Sequence, residues 1–463
     1  MKFRLRWSSP LTQILLVSVT CFCCPGMFNA LNGLGGGGKA DTTATNNANT
    51  ALAVTFTVFS LIGGGIFNLC GHYIMVPGAL MYALYVGSYL SDSSTFTIAT
   101  GATLGIGAGL LWSSQGAIMM SYPMEKDKGK YFAIFWAIFN LGSTIGSAIA
   151  LANEWRSNDN TGSVGTGTYI AFICIMGVGA FSALLLLPAS KVYHSDGTPV
   201  SMHKYSNVTR ECIGIFKLFT NWKMLILIPL FGGSNWFYTY QFQVYNGGGY
   251  FNLRARTLNN LLYWVFQIIG AGVFGSFMDW ARLGGRRRRA WCGLTVVFLI
   301  MAATWIGGIF VQLKFSRESV KGLTPSEQQD AHGGVYAGEL ITYALFGVVD
   351  SIYQGFCYWL MGALTNDTER AARYGGFYKT TQNAFAAIAP QLDVNGVSYL
   401  VQLIVCWIIC VVGMAGAVPV IMTIEETTEE VVDNLKGIEG KEVVVGGALE
   451  VDIKEDYKES INS

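Results

Sequence analysis

Apolar residues along this chain fall in long runs broken by Gly, Pro and clusters of charge, without the short alternation of a half-buried strand. Each run approaches the ~20 residues that a helix needs to cross hydrocarbon. The runs predict spanning helices over 11–34, 51–70, 74–91, 95–121, 131–152 and 168–188, then over 223–246, 257–279, 290–313, 335–361, 375–394 and 398–423. The eleventh is the weakest, because Lys379, Gln382 and Asn383 interrupt it. Between the two sets lies a polar, basic stretch with Pro199 and little apolar periodicity. The pattern predicts an all-α polytopic membrane protein of about twelve helices, built as a duplicated six-helix unit. Its parts are an amino-terminal half (1–188), a cytoplasmic central loop (189–222), a carboxyl-terminal half (223–423) and a flexible acidic tail (424–463).

Composition agrees. Hydrophobic residues make up 52% of the 463 and charged residues 13%, against roughly 25% charge in soluble domains. An ordinary soluble enzyme, a fibrous chain and a disordered chain are excluded. The net charge of +1 hides an asymmetry: the tail carries twelve acidic residues and four Lys, leaving +9 on residues 1–423. With both termini in the cytoplasm, inside segments hold 23 of the 30 Lys and Arg and outside loops hold 7. This is the positive-inside bias, and it places both ends in the cytoplasm. The first apolar run is too long for a cleaved signal and reads as a span. The glycosylation patterns at Asn207 and Asn366 fall on inside segments and are expected to go unused. Most of the ten Cys lie in apolar runs, so no disulfide framework is expected. Cys406 and Cys410 share a helix face without His or carboxylate neighbours, so neither a metal nor another cofactor is expected.

Around the end of the eighth run the chain reads Gly275-Ser-Phe-Met-Asp279-Trp-Ala-Arg282-Leu-Gly-Gly-Arg286-Arg287-Arg288-Arg289. This is similar to the loop signature of the major facilitator superfamily, with two extra residues. Gly275 would allow close helix packing. Asp279 would pair with Arg282 or with Arg286 or Arg287, latching the inner face and releasing as the halves rock. The plainer alternative is a positive-inside anchor. Flanking spans rule out a nucleic-acid patch. At the duplicate position stands Gly64-Gly-Ile-Phe-Asn68-Leu-Cys-Gly71-His72, the same frame with Asn68 for Asp and the basic residues replaced or lost.

The stretch from Cys24-Pro25-Gly26 through Asn29, Asn32 and the Gly35–Gly38 run resembles the uncoordinated-93-like family in its fungal branch. Gly129-Lys130-Tyr131-Phe132, Phe139-Asn140-Leu141-Gly142 and Gly375-Gly376-Phe377-Tyr378-Lys379 agree with it, as does Gln382. The resemblance covers most of 8–423 and implies a major facilitator fold of twelve helices. It implies no substrate. Animal members of that family act as partners or trafficking factors for receptors and channels.

Polar residues inside apolar runs are the functional candidates. Asp350 is the sharpest, near the middle of the tenth run with Gln354 one turn on. An isolated carboxylate at bilayer centre costs about 2.5–3.5 kcal/mol on insertion scales, so it should face a cavity or a partner. Asn29, Asn32, Asn140, Asn235, Gln241, Gln267 and Gln382 are expected to join it in a polar cavity with few charges, and Glu339 is expected at the membrane interface. The Gly35–Gly38 run reads as a flexible span end, and Gly101, Gly105, Gly107 and Gly109 as helix-packing positions. No catalytic constellation appears, so no enzyme is expected. Two readings follow. One is a transporter-like protein moving an unidentified small polar solute by alternating access, with proton coupling through Asp350. The other is a transport-silent accessory protein that regulates or traffics a membrane-protein partner. In both, the lipid bilayer is a partner and nucleic acid is not.

Overall fold

The computed structural model describes residues 6–39, 41–91, 93–123, 128–155, 163–194, 197–200, 208–331, 336–365 and 368–425. Thirteen helices organise them: α1 Pro10–Gly33, α2 Thr43–Cys70, α3 Met75–Ser88, α4 Ser94–Ser121, α5 Lys128–Glu154, α6 Thr166–Leu184 and α7 Val208–Lys217, then α8 Trp222–Asn246, α9 Leu253–Met278, α10 Arg286–Gln312, α11 Ala337–Ala363, α12 Thr368–Val394 and α13 Tyr399–Ile421. Every run expected to span falls on a helix. Among the described residues nine helices are long and apolar enough to cross a membrane, ten if α8 is counted with the segment Ile213–Thr220 before it. The short α3 and the polar α12 are helical but are not among them.

Two expectations gain detail. The stretch 189–222, expected as a central loop between the halves, contains α7, whose Ile213 and Phe216 are exposed while Ile215 packs inward. The helix carrying Lys379 begins at Thr368 rather than at 375. Lys379 is therefore eleven residues inside a 27-residue helix, about 16 Å from its start at ~1.5 Å per residue.

Buried apolar side chains form two clusters, one spanning Ile14 to Val200 with Leu253 added, the other Ile215 to Ile424. The halves meet where α2 packs on α12 and α5 packs on α9. Small residues make tight packing possible, as expected for α4: a Cβ on Gly105 would lie 2.2 Å from the Leu52 carbonyl oxygen of α2. Two helices are irregular. Pro25 removes a backbone donor inside α1, where Phe22–Gly26 is π-helical, and α8 ends in a π-helical stretch, Thr239–Asn246. Such π segments are often found at functional sites.

Candidate functional site

Asp350 stands midway along α11 and is fully buried. The 3.6-residue period sets Gln354 on its face, and Gln354 Nε2 donates to Asp350 Oδ1 at 2.6 Å. From α8, the Tyr238 hydroxyl donates to both oxygens at 3.2 and 3.1 Å. From α9, the Tyr263 hydroxyl and Gln267 Nε2 donate to Oδ2 at 3.1 and 2.6 Å. Taking a carboxylate out of water is costly unless donors replace the lost hydration. Here four neutral side chains from three helices do so, and no Lys or Arg touches the carboxylate among the described residues.

Gln354 extends the network. Its Oε1 accepts from Gln382 Nε2 at 3.3 Å, and Gln382 also donates to the Ser234 and Tyr378 hydroxyls at 2.8 and 2.9 Å. Gln382 Oε1 accepts from Lys379 Nζ at 2.9 Å. That ammonium lies 5.2 and 5.8 Å from the Tyr378 and Tyr358 ring centroids, within cation–π range. Among the described residues two buried amide atoms at this centre lack any partner: Gln241 Nε2, whose own Oε1 accepts from Tyr263, and Gln267 Oε1. Orphaned buried polar atoms mark places where a water or a ligand group completes the bonding. Asp350 itself is bonded only within the carboxyl half, behind the part-exposed Tyr238 and Gln354.

Sequence reasoning thus brings Asp350, Gln354, Gln267, Gln241 and Gln382 together, and it missed Tyr263 and Ser234. Asn32 belongs elsewhere: its Oδ1 accepts from Gln243 of α8 at 3.1 Å and from Asn49 at 3.3 Å. Asn29 and Asn235 are half-buried and make no side-chain hydrogen bond among the described residues. Asn140 is buried and donates to the Trp136 carbonyl of its own helix.

Asn32 lies in a seam between the halves that the sequence did not signal. Arg256, almost fully buried, donates to the backbone oxygens of Leu34, Gly35 and Lys39 at 2.9, 2.7 and 3.1 Å. Asn260 donates to the Ala30 carbonyl at 2.6 Å, and Asn246 to that of Gly33 at 2.9 Å. Asp393 of α12 accepts from Asn46 of α2 at 2.7 Å and pairs with Arg317 at 2.6 Å. The Gly35–Gly38 run is not a loose end: Gly36, Gly37 and Gly38 are buried, and all four have positive φ. A Cβ on Gly35 would sit 2.4 Å from Gly247 Cα of the other half. Only glycine suits that conformation and that approach. Glu339, expected at the interface, is buried beside Lys314 at 2.6 Å. Its carboxylate holds the Lys314 ammonium above its ordinary pKa.

At the other end of the bundle, Asp279 caps α9, is exposed and forms no ion pair among the described residues. Arg282 lies over the Trp280 ring at 5.6 Å, Arg287 donates to the Ile424 carbonyl at 3.1 and 3.0 Å, and Arg286 has a partner of its own. The close packing expected at Gly275 is not found, since a Cβ there would meet nothing within 4 Å. Gly71 has φ +66° and ends α2, while the Asn68 side chain lies outside the described residues.

Residues 41–415 match the family model described as "Ion channel regulatory protein UNC-93". UNC93-like protein 1 of Arabidopsis thaliana is 44% identical over 410 residues, covering 87% of this chain and 88% of its own. UNC93-like protein C922.05c of Schizosaccharomyces pombe is 42% identical over 438 residues, covering 93% and 86%. A solved structure of the peptide transporter POT superposes with a TM-score of 0.60 at 15% identity, covering 89% of this chain and 95% of that one. At that identity the likeness shows the fold alone, that of the major facilitator superfamily.

Proposed function

The chain belongs to the UNC-93 family, and on that premise we propose that it moves a small polar solute by alternating access, with Asp350 as the proton-coupling group. One observation carries this reading: a buried carboxylate with four neutral donors adjoins two unpartnered amide atoms. These unpartnered atoms offer bonding capacity for a water or a solute group beside a carboxylate that can take up a proton, which supports the reading. The seam from Arg256 to Asp393 closes one face of the bundle, as one state of a rocking transporter requires. The bias in Lys and Arg supports cytoplasmic termini, which protease accessibility of terminal tags tests.

The deciding experiment loads proteoliposomes with a pH-reporting dye and challenges them with a panel of hexoses, nucleosides, amino acids and short peptides. At least one solute should carry protons inward in the wild type and none in Asp350→Asn. No solute-dependent proton movement across the panel would turn the assignment to the accessory reading. That second reading draws on one observation, that every hydrogen-bond partner of Asp350 lies in the carboxyl half.

A further inference from the structure

Helix α7 is tied to the carboxyl half's core through Ile215, and three features of its surroundings converge. Its second half runs on into the segment Ile213–Thr220, which meets Trp222–Asn246 at a bend of 79°. If Trp222–Asn246 crosses the membrane, a segment nearly perpendicular to it would run along the membrane surface. Its apolar residues suit that position: Ile213, Phe216, Phe219 and Trp222 are exposed, as in helices that bury one face at the lipid boundary. Ile215 packs under α12, where a Cβ on Gly376 would meet it at 2.8 Å, and Phe219 lies edge-on to Phe377 at 4.8 Å.

Between α7 and the first turns of α12 is a cavity of about 220 Å³, lined by Gly214, Lys217, Leu218, Asn221, Arg370, Arg373 and Tyr374. Three of these are cations and none is acidic. Arg373 reaches the cavity across Gly214, where a Cβ would stand 2.6 Å from its Nε. Arg370 is exposed and Arg373 part-buried, and both have further partners in the chain. Asn221 and Tyr374 add neutral hydrogen-bonding groups.

We propose that this cavity binds the phosphorylated headgroup of an anionic membrane lipid, whose acyl chains lie along the exposed apolar residues of α7. Cations answer the phosphate charge, and Arg offers it a planar fork of donors. The adjoining apolar residues select a lipid over a soluble phosphate. The basic bias assigns this face to the cytoplasm, where anionic lipids attract polybasic segments.

The test titrates the full chain, purified in neutral detergent, with fluorescent phosphatidylinositol 4-phosphate and with phosphatidylcholine of the same acyl chains. The phosphorylated lipid should bind at least ~10-fold tighter. Lys217→Ala alone, an exposed residue, should weaken it ~5-fold, and Lys217→Ala with Arg370→Ala at least ~10-fold. The charge-matched pair Arg288→Ala with Arg289→Ala should stay within ~2-fold of the wild type. Equal loss in that control would mean diffuse attraction and overturn the site. Inorganic phosphate or inositol 1,4-bisphosphate binding as tightly as the lipid would overturn the lipid assignment. No preference over phosphatidylcholine would overturn the proposal outright.

Discussion

Asp350 and Lys379, on adjacent helices, are joined through two amide side chains rather than paired directly. Gln354 bonds Asp350 at 2.6 Å, Gln382 bonds Gln354 at 3.3 Å, and Lys379 bonds Gln382 at 2.9 Å. A direct ion pair would neutralise both groups and resist opening. The interposed amides leave each charge answerable to a third party, a proton at one end and a solute group at the other.

Asp350→Asn is the first test. If Asp350 couples transport to protons, the variant should lose accumulation driven by a pH gradient and keep exchange of the same solute. The new amide must also point a donor at Gln267 or Gln354. A buried donor without an acceptor costs about 1–3 kcal/mol, so the melting temperature should fall too. Unimpaired gradient-driven uptake would remove the coupling role.

Gln382→Leu tests the chain itself. It leaves Asp350 and its four donors in place but strips Lys379 of its amide acceptor. Gradient-driven uptake should fall at least ~10-fold, equivalent to ~1.4 kcal/mol on the transport barrier, with Gln382→Asn intermediate. Equal rates in all three proteins would mean that the Lys379 end contributes only to packing.

Much of this arrangement was legible in the sequence. Long apolar runs gave the helices, because crossing hydrocarbon imposes length and apolarity together. Asp350, Gln354 and Gln382 stood out because polar groups in such runs are expensive. Tyr263 and Ser234 did not, since tyrosine and serine are ordinary in membrane helices and only tertiary packing aims them. Arg256, one of the seven cations counted to outside loops because it precedes the run at 257, did not stand out either. Its three bonds go to backbone oxygens around a glycine run, and carbonyl oxygens leave no mark in a sequence. Lys379 was set too close to the helix end because the polar first turns of α12 resemble a loop.

The Asp393 cluster gives a conformational prediction. Its carboxylate accepts from Asn46 of the other half, from Gln402 and from Arg317. Asp393→Ala loses the Gln402 and Arg317 bonds in either state, since both lie in its own half, but the Asn46 bond crosses the seam and exists only while this face is closed, so its loss should shift the population toward the opposite state. A loss of ~1.4 kcal/mol changes the ratio tenfold. Thiol labelling of Thr50→Cys, beside Gln391 at the seam, should accelerate by that order. An unchanged labelling rate would show that the cluster does not hold the face shut.

His72 gives a pH dependence. Burial pushes its imidazole pKa below the ordinary value, against a weaker pull from its hydrogen bond to the Leu186 backbone. Its Nε2 has no partner among the described residues. The unfolded chain then binds a proton more readily than the folded one. Stability is full above about pH 6.5 and declines as pH falls below it, toward the lower folded value. The melting temperature should drop between pH 7.5 and 5.5, and His72→Gln should flatten that drop. An identical slope in the variant would assign the loss to other groups.

Among the described residues Asp279 is exposed and forms no ion pair, while the opposite face is zipped by Arg256 and Asp393. Alternating access requires the two closures to exclude each other. A latch between Asp279 and the basic segment from Arg282 to Arg287 would therefore form only when the Asp393 face opens. Asp279→Asn should leave the present state intact and destabilise the other. Thiol labelling of Thr50→Cys should then slow, opposite in sign to Asp393→Ala. Combining the two substitutions should bring labelling back toward the wild-type rate, since each acts on one side of the same equilibrium. If Asp279→Asn leaves labelling unchanged, the arginines there are a membrane anchor and the latch has no part in the cycle.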